Sequence, residues 1–183
     1  MYELAQAQND FKPVNFNPIV IKNFVDPDLI RLLQHQCTSL ALAPDTPRDD
    51  KIFNRKQVHN DPIMSVVHLM IIERTEEFLK RKLKPSYNFT SLYFEGAGAC
   101  PKHTDRPPCR YTVDLCINQK KPWPLFAVGE DGKEYKSELE IGDAMILSGT
   151  NHEHWREPMQ GEDNFCHLVF FHFVDLDYVG GLN

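Results

Sequence analysis

The sequence predicts a mainly β domain, closed as a sandwich or barrel, with two helices packed on one face. Three observations predict it. From residue 86 to Val174, short runs rich in β-branched and aromatic residues alternate with Gly, Pro, Asn and Asp turn signals such as "GEDG". Ahead of them lie two apolar segments of helical spacing, each opened by Asp-Pro. Across all 183 residues there is no internal repeat, low-complexity tract or linker, so one core is expected.

Taken in order, "PIVIKNF" reads as an N-terminal strand of the same body. "DPDLIRLLQHQCTSLAL" from Asp26 and "DPIMSVVHLMIIERTEEFLKRKL" from Asp61 each place a capping carboxylate before a Pro at the first helical position. Leu29, Leu32 and Leu33 in the first, and Val66, Val67, Met70, Ile71 and Phe78 in the second, recur at helical spacing and are expected to face a sheet. The helical support thus spans 26–84, and the β core spans about 86–175 through "YNFTSLYFE", "CRYTVDLCIN", "WPLFAV", "DAMILS" and "FCHLVFFHFV".

Composition narrows the function. A net charge of -6 without any lysine or arginine run argues against nucleic acid as a partner and leaves a small molecule or peptide. No apolar stretch has the length of a membrane span, and "MYELAQAQNDFKP" has neither the charged start nor the apolar core of a signal peptide, so a cytoplasmic protein without membrane contact is expected. Five cysteines without a CxxC pair give neither a disulfide framework nor a thiolate zinc site. The acceptor pattern "NFT" at Asn88 lies in a strand-like run and carries little weight.

The chemistry concentrates in "PKHTDRPP", where His103 and Asp105 sit two residues apart between strand-like runs. Along an extended chain such a pair projects to one side and can grip one ion. An HxD pair is weak alone and needs a third ligand. "GDAMILSGTNHEHWREP" brings one, since two histidines and one carboxylate with the remaining positions open form the facial triad of non-haem Fe(II) oxygenases.

At this point the sequence resembles the Fe(II)- and 2-oxoglutarate-dependent dioxygenases, in the prolyl-hydroxylase-like branch. The resemblance covers roughly Ser86 to Asp175. "YFEG" followed by "KHTD" looks like the family's tyrosine, glycine and HxD arrangement; "CRYTVDLCIN" is similar to its arginine-led strand; "WPLFAVGEDGKEYKSELEIGDAMIL" looks like the hairpin and Gly-Asp turn before the distal histidine. Pro158 follows His154 as in the family pattern, which selects His154 over His152 and leaves His152 a supporting or surface residue.

The resemblance implies a double-stranded β-helix, or jelly roll, of cupin-like build. It implies Fe(II) held by His103, Asp105 and His154, with 2-oxoglutarate as cosubstrate, molecular oxygen as co-reactant and ascorbate as accessory reductant. The implied activity is hydroxylation of an unactivated C–H bond in a small molecule, amino acid or peptide. Halogenating relatives lack the carboxylate that Asp105 supplies. One departure is plain: the family places an Arg or Lys about nine to twelve residues after the distal histidine to pair the far carboxylate of 2-oxoglutarate, whereas positions 163–166 read "DNFC". A buried carboxylate needs a donor. Counting by two from His154 turns Arg156 inward, and alternation through Phe165, His167, Val169 and Phe171 turns His167 inward, so Arg156 with His167 and Tyr93 is the expected replacement. The rival is a surface pairing of Arg156 with Glu153 or Glu157 and a core role for His167. Arg106, in the stiff "RPPC" loop, and Arg110, at the start of a strand, are the candidates for substrate contact, each weighed against an ordinary surface or strand-end arginine. Two rival functions remain at this level: a cupin-like metal enzyme that uses no 2-oxoglutarate, and a non-catalytic jelly-roll binding module.

Overall fold

The computed structural model describes residues 14–49 and 51–182; the "MYELAQAQNDFKP" segment read above lies outside them. In chain order the elements are β1 (Ile19–Ile21), α1 (Pro27–Leu42), β2 (Arg48–Asp49), β3 (Arg55–His59), α2 (Pro62–Met70), α3 (Ile72–Leu79), β4 (Leu83–Tyr93), β5 (Cys100–His103), β6 (Tyr111–Gln119), β7 (Leu125–Val128), β8 (Glu134–Ser137), β9 (Ala144–Leu147), β10 (His154–Arg156) and β11 (Cys166–Asp175). They form two antiparallel sheets, a large one ordered β1-β9-β6-β11-β4-β3-β2 and a small one ordered β5-β10-β7-β8. Among the described residues no helix is long and apolar enough to cross a membrane.

The helix starts follow from their caps. The Asp26 carboxylate accepts from the backbone N–H groups of Asp28 and Leu29, and that of Asp61 from Ile63 and Met64, so each satisfies two of the donors that a helix start leaves open. The second predicted helix is in fact two, because the chain turns at Ile71 between α2 and α3. The buried stripes also run differently from the expected ones. Ile30, Leu33 and Cys37 of α1 and Met64, Val67 and His68 of α2 face the sheet, whereas Leu32 (51 %), Val66 (58 %) and Met70 (63 %) are exposed. An apolar residue on a helix surface is common, so helical spacing alone did not choose the stripe.

The large sheet is covered on both faces. On one, Val113, Leu115 and Ile117 of β6 and Val169, Phe171 and Phe173 of β11 pack with the helix residues Leu33, Met64 and Val67. On the other, Cys116, Leu168, Met145 and Leu147 pack with Leu125 and Ala127 of the small sheet. Asn88 is buried in β4 and donates its amide to the Ser65 hydroxyl at 2.9 Å, which leaves no place for a glycan. All five cysteines are free thiols, four of them buried.

Candidate metal centre and its cavity

The site lies between the two sheets, where β5 and β10 pair. His154 is the register partner of His103 across that pair, and their rings stand 4.4 Å apart. Asp105 lies just past the end of β5, where its N–H donates to the Gly149 carbonyl at 2.7 Å. This puts its carboxylate 3.6 Å from the His103 Nε2 and 3.7 Å from the His154 Nε2. The approach demands glycine at 149, because a Cβ there would sit 2.5 Å from the Asp105 Oδ2 and 2.3 Å from the Cys109 carbonyl oxygen.

Both imidazoles are oriented by a second bond. His103 donates its Nδ1–H to the Pro101 carbonyl at 2.7 Å and His154 donates its own to the His152 carbonyl at 2.9 Å. A carbonyl can only accept, so each ring turns its Nε2 toward Asp105. The Asp105 carboxylate raises His103 to about 10, so a proton sits between the two groups until a cation displaces it. Burial would raise Asp105, but the bond from His103 and the charges of His154 and His172 outweigh it and hold the carboxyl below its ordinary range. Burial pushes His154 down, which favours the neutral ligand form.

Asp105, Cys109 and His172 also gather within 4.8 Å of one another. Burial pushes the Cys109 thiol up to about 12, and its sulfur shares a 3.0 Å hydrogen bond with the Tyr87 hydroxyl. Such a sulfur stays a thiol and is a poor ligand. The chemistry of the donors therefore favours His103, Asp105 and His154, which fit a divalent ion with open positions.

Those open positions face a cavity of about 290 Å³. Tyr87 and Phe89 of β4, and Phe170 and His172 of β11, form an aromatic wall on the large sheet. Arg156 enters the cavity as expected, but its guanidinium donates to the Asp114 carboxylate and to the Trp123 carbonyl. Arg156 and Asp114 are 5 % and 1 % exposed, so this is a fully buried ion pair and not the surface pairing with Glu153 or Glu157. Burial pushes the Asp114 carboxyl up, and the Arg156 charge opposes that shift. Tyr93 also lines the cavity, with its ring edge-on to Trp123.

Two expected residues are elsewhere. His167 points away, into a shallow groove with Thr38, Ala41 and Leu42 of α1. The alternation along β11 is offset by one residue from the expected phase: Phe170 and His172 line the cavity, while Val169 and Phe171 face the helices. Both faces of β11 are buried, so its sequence is a nearly continuous apolar run that carries no phase. Arg110 is also buried and is not among the residues that line the cavity, with its Nε donating to Asp175 at 3.0 Å and to the Tyr111 hydroxyl at 3.2 Å as a strand-end pair. Arg106 is exposed over the Tyr87 ring at 4.8 Å, beside the cavity wall. His152 is fully buried. Its Nδ1 accepts from the Ser148 N–H and its Nε2 donates to the Phe16 carbonyl, so its side chain is structural while its carbonyl orients His154.

The sequence reading also missed Arg55, which enters the cavity from β3. A signal was present: "NRKQVHN" is framed by Asn54 and Asn60, which take the left-handed conformation (φ 39° and 51°) that asparagine tolerates at turns.

No protein-family model matches the chain, and no curated protein matches its sequence. Solved structures match its fold. A prolyl-4-hydroxylase from Pseudomonas putida superposes with a TM-score of 0.67 at 15% identity, over 91% of this chain and 98% of that one. The epimerase SnoN from nogalamycin biosynthesis, solved with Fe3+, alpha ketoglutarate and nogalamycin RO, gives 0.73 at 10% identity, over 94% of this chain and 84% of that one. EctD from S. alaskensis, solved with 2-oxoglutarate and 5-hydroxyectoine, gives 0.67 at 11% identity, over 88% and 73%. The chain therefore has the double-stranded β-helix fold of the Fe(II)- and 2-oxoglutarate-dependent oxygenases.

Proposed function

We propose that this protein is an Fe(II)- and 2-oxoglutarate-dependent oxygenase that hydroxylates an unactivated C–H bond in a small molecule, amino acid or peptide. The observation that carries this reading is the convergence of His103, Asp105 and His154 within 4.8 Å on the wall of a cavity of about 290 Å³, on a fold of which a solved example holds iron and alpha ketoglutarate. In this reading His103 and His154 each present a neutral Nε2 fixed by the carbonyl behind it, and Asp105 completes a face that leaves the remaining positions open. The bound metal and cosubstrate supply oxygen activation coupled to decarboxylation of 2-oxoglutarate to succinate and carbon dioxide.

The chain contributes orientation and exclusion of water. Phe89, Phe170 and Tyr87 form an apolar wall against which a substrate C–H is held, and Arg106 beside Tyr87 offers a charge to a polar substrate group. Arg55 and Tyr93 also line the cavity and offer donors for the second carboxylate of 2-oxoglutarate, whereas Arg156 is already paired with Asp114. A carboxylate at position 105 leaves no ligand position for a halide, in keeping with hydroxylation.

The test is anaerobic titration of the Fe(II)-loaded protein with 2-oxoglutarate, followed by succinate assay in air with ascorbate and a substrate pool. A visible charge-transfer band in the wild type, lost with iron in Asp105→Ala while the circular dichroism spectrum is unchanged, is the expected result. Iron binding that survives Asp105→Ala undiminished would refute the assignment. Iron-loaded wild type that gives no band would refute the use of 2-oxoglutarate.

A further inference from the structure

We infer that Arg55 is the carboxylate-binding arginine of this cavity, and that it takes the distal carboxylate of a dicarboxylic 2-oxo acid whose 2-oxo acid end meets the metal. This rests on the functional reading above and assigns a role in it to a residue far from the metal motif. The argument begins with elimination. Arg156 is the basic residue nearest in sequence to the distal histidine, but one of its terminal nitrogens is given to Asp114 and the other to the Trp123 carbonyl. For Arg156 to take a ligand carboxylate, the buried Asp114 would have to give up its partner, and its Oδ1 already lacks a hydrogen bond.

Arg55 is in the opposite condition. It lies on β3 as the register partner of Tyr93 on β4, and its side chain enters the cavity that holds the metal ligands. Its Nη1 donates to the Ser91 hydroxyl at 3.2 Å and to the Tyr93 hydroxyl at 3.0 Å. Its Nε is buried with no hydrogen-bond partner, and among the described residues no carboxylate pairs with this guanidinium. The Nε and Nη2 edge, the edge that meets a carboxylate with two parallel bonds, is therefore unused.

The group is also held still. The guanidinium lies 4.5 Å from the Phe53 ring centroid, 5.0 Å from that of Phe89 and 5.5 Å from that of Tyr93. Aromatic faces around a guanidinium fix its plane and leave its edge as the direction for an anion. Arg156 and Asp114 cancel, so among the described residues Arg55 is a cation of the cavity wall with no carboxylate beside it, and a carboxylate arriving there completes a pair without breaking one. The Tyr93 hydroxyl accepts from Arg55 and keeps its own proton, which gives the carboxylate a further donor.

The test compares two ligands that differ only at the distal group: 2-oxoglutarate, and 2-oxovalerate, in which a methyl replaces the distal carboxylate. Both are titrated into anaerobic Fe(II)-loaded wild type, Arg55→Leu and Arg55→Gln, with affinities read by calorimetry and by the charge-transfer band, and with iron content and melting temperature measured for each protein. Wild type is expected to prefer 2-oxoglutarate by roughly a hundredfold, as for a desolvated charge pair. Both Arg55 variants are expected to lose that preference while keeping wild-type affinity for 2-oxovalerate and iron. Arg55→Gln keeps a polar side chain at the site, so it decides the matter should Arg55→Leu fail to fold. A double variant, Arg156→Met with Asp114→Val, removes the buried pair together and is expected to retain the preference. Retained preference in folded Arg55 variants overturns the inference while the functional reading stands. Loss of preference in the Arg156 double variant alone also overturns it and gives the role to Arg156. Wild type that holds iron but binds neither acid overturns the functional reading, and the inference falls with it.

Discussion

Replacing Arg156 by Met tests the claim that this residue is matched by Asp114. The two side chains are 5 % and 1 % exposed, and Asp114 has one oxygen that already lacks a hydrogen bond. Removing Arg156 leaves a carboxylate in the core with neither charge partner nor water. Breaking such a pair from one side costs about 3–5 kcal/mol, a large share of the roughly 5–15 kcal/mol that holds a domain together. For a chain of this size that is a fall in melting temperature of about 6–20 °C. Adding Asp114→Val removes the stranded charge, and the double variant should recover to within about 1 kcal/mol of wild type, because well-packed apolar groups replace buried pairs at little cost. Urea unfolding followed by circular dichroism measures both variants, and the cycle gives the coupling. The single variant should also lose less at acidic pH, where the stranded Asp114 takes up a proton. An Arg156→Met protein within about 1 kcal/mol of wild type, or a double variant no better than the single, would refute the reasoning.

Three further outcomes follow from the geometry. Gly149→Ala forces a Cβ to within 2.5 Å of the Asp105 Oδ2, so it should weaken Fe(II) binding at least about tenfold in equilibrium dialysis while the far-UV spectrum is unchanged; undiminished affinity would mean that the loop yields freely. His154→Ala should lose iron, whereas His152→Ala should lose stability, about 1–3 kcal/mol for the stranded Ser148 N–H and Phe16 carbonyl; the reverse pattern would exchange their roles. Burial holds His68 and His152 at about 4 and His172 at about 3, below the ordinary value near 6.5. In that window the unfolded chain binds protons that the native state refuses, so stability is whole above about 6.5 and falls by up to about 1.4 kcal/mol per residue for each pH unit toward 4. His103, raised to about 10, contributes stability that grows as the pH falls from about 10 to about 6.5 and is constant below that, where both states hold its proton, so it does not offset the loss toward 4. A urea midpoint that stays flat from pH 7 to 5 would refute this.

Where a segment carried a strong local cause, its structure could be read from sequence. Asp26 and Asp61 announce helix starts because a carboxylate just before Pro has one good use there. The runs that became β4, β6, β9 and β11 were legible as strands through their β-branched and aromatic content. The strands β3, β5, β8 and β10 were not, because each is short and mixes polar and charged residues, and what makes them strands is the neighbour each pairs with. The candidate site divides in the same way. His103 and Asp105 stand two residues apart and His154 carries the family-like Pro158 after it, so all three could be named as candidates from the sequence, and the fold brings them together. Arg55 belongs to a strand marked only by the asparagines that frame it, and its relevance comes from the register Arg55 to Tyr93, which no local pattern encodes. His167 was misplaced for the converse reason, since a strand buried on both faces offers no polar side from which to count.

The pairing of His103 with His154 across β5 and β10 has a consequence for how such a protein could change. The distance between the two imidazoles is set by backbone bonds of the small sheet, like the jaws of a caliper, whereas the wall of Phe89 and Phe170 belongs to the large sheet opposite. A change of wall residue leaves the caliper setting alone, so the cavity can be recut for a different guest while the metal grip is inherited intact. A single residue inserted between Gly149 and His154 does the opposite: it leaves the wall as it was and opens the jaws. Variation in guest should therefore accumulate along β4 and β11, and variation in length should be confined to loops away from that short connection.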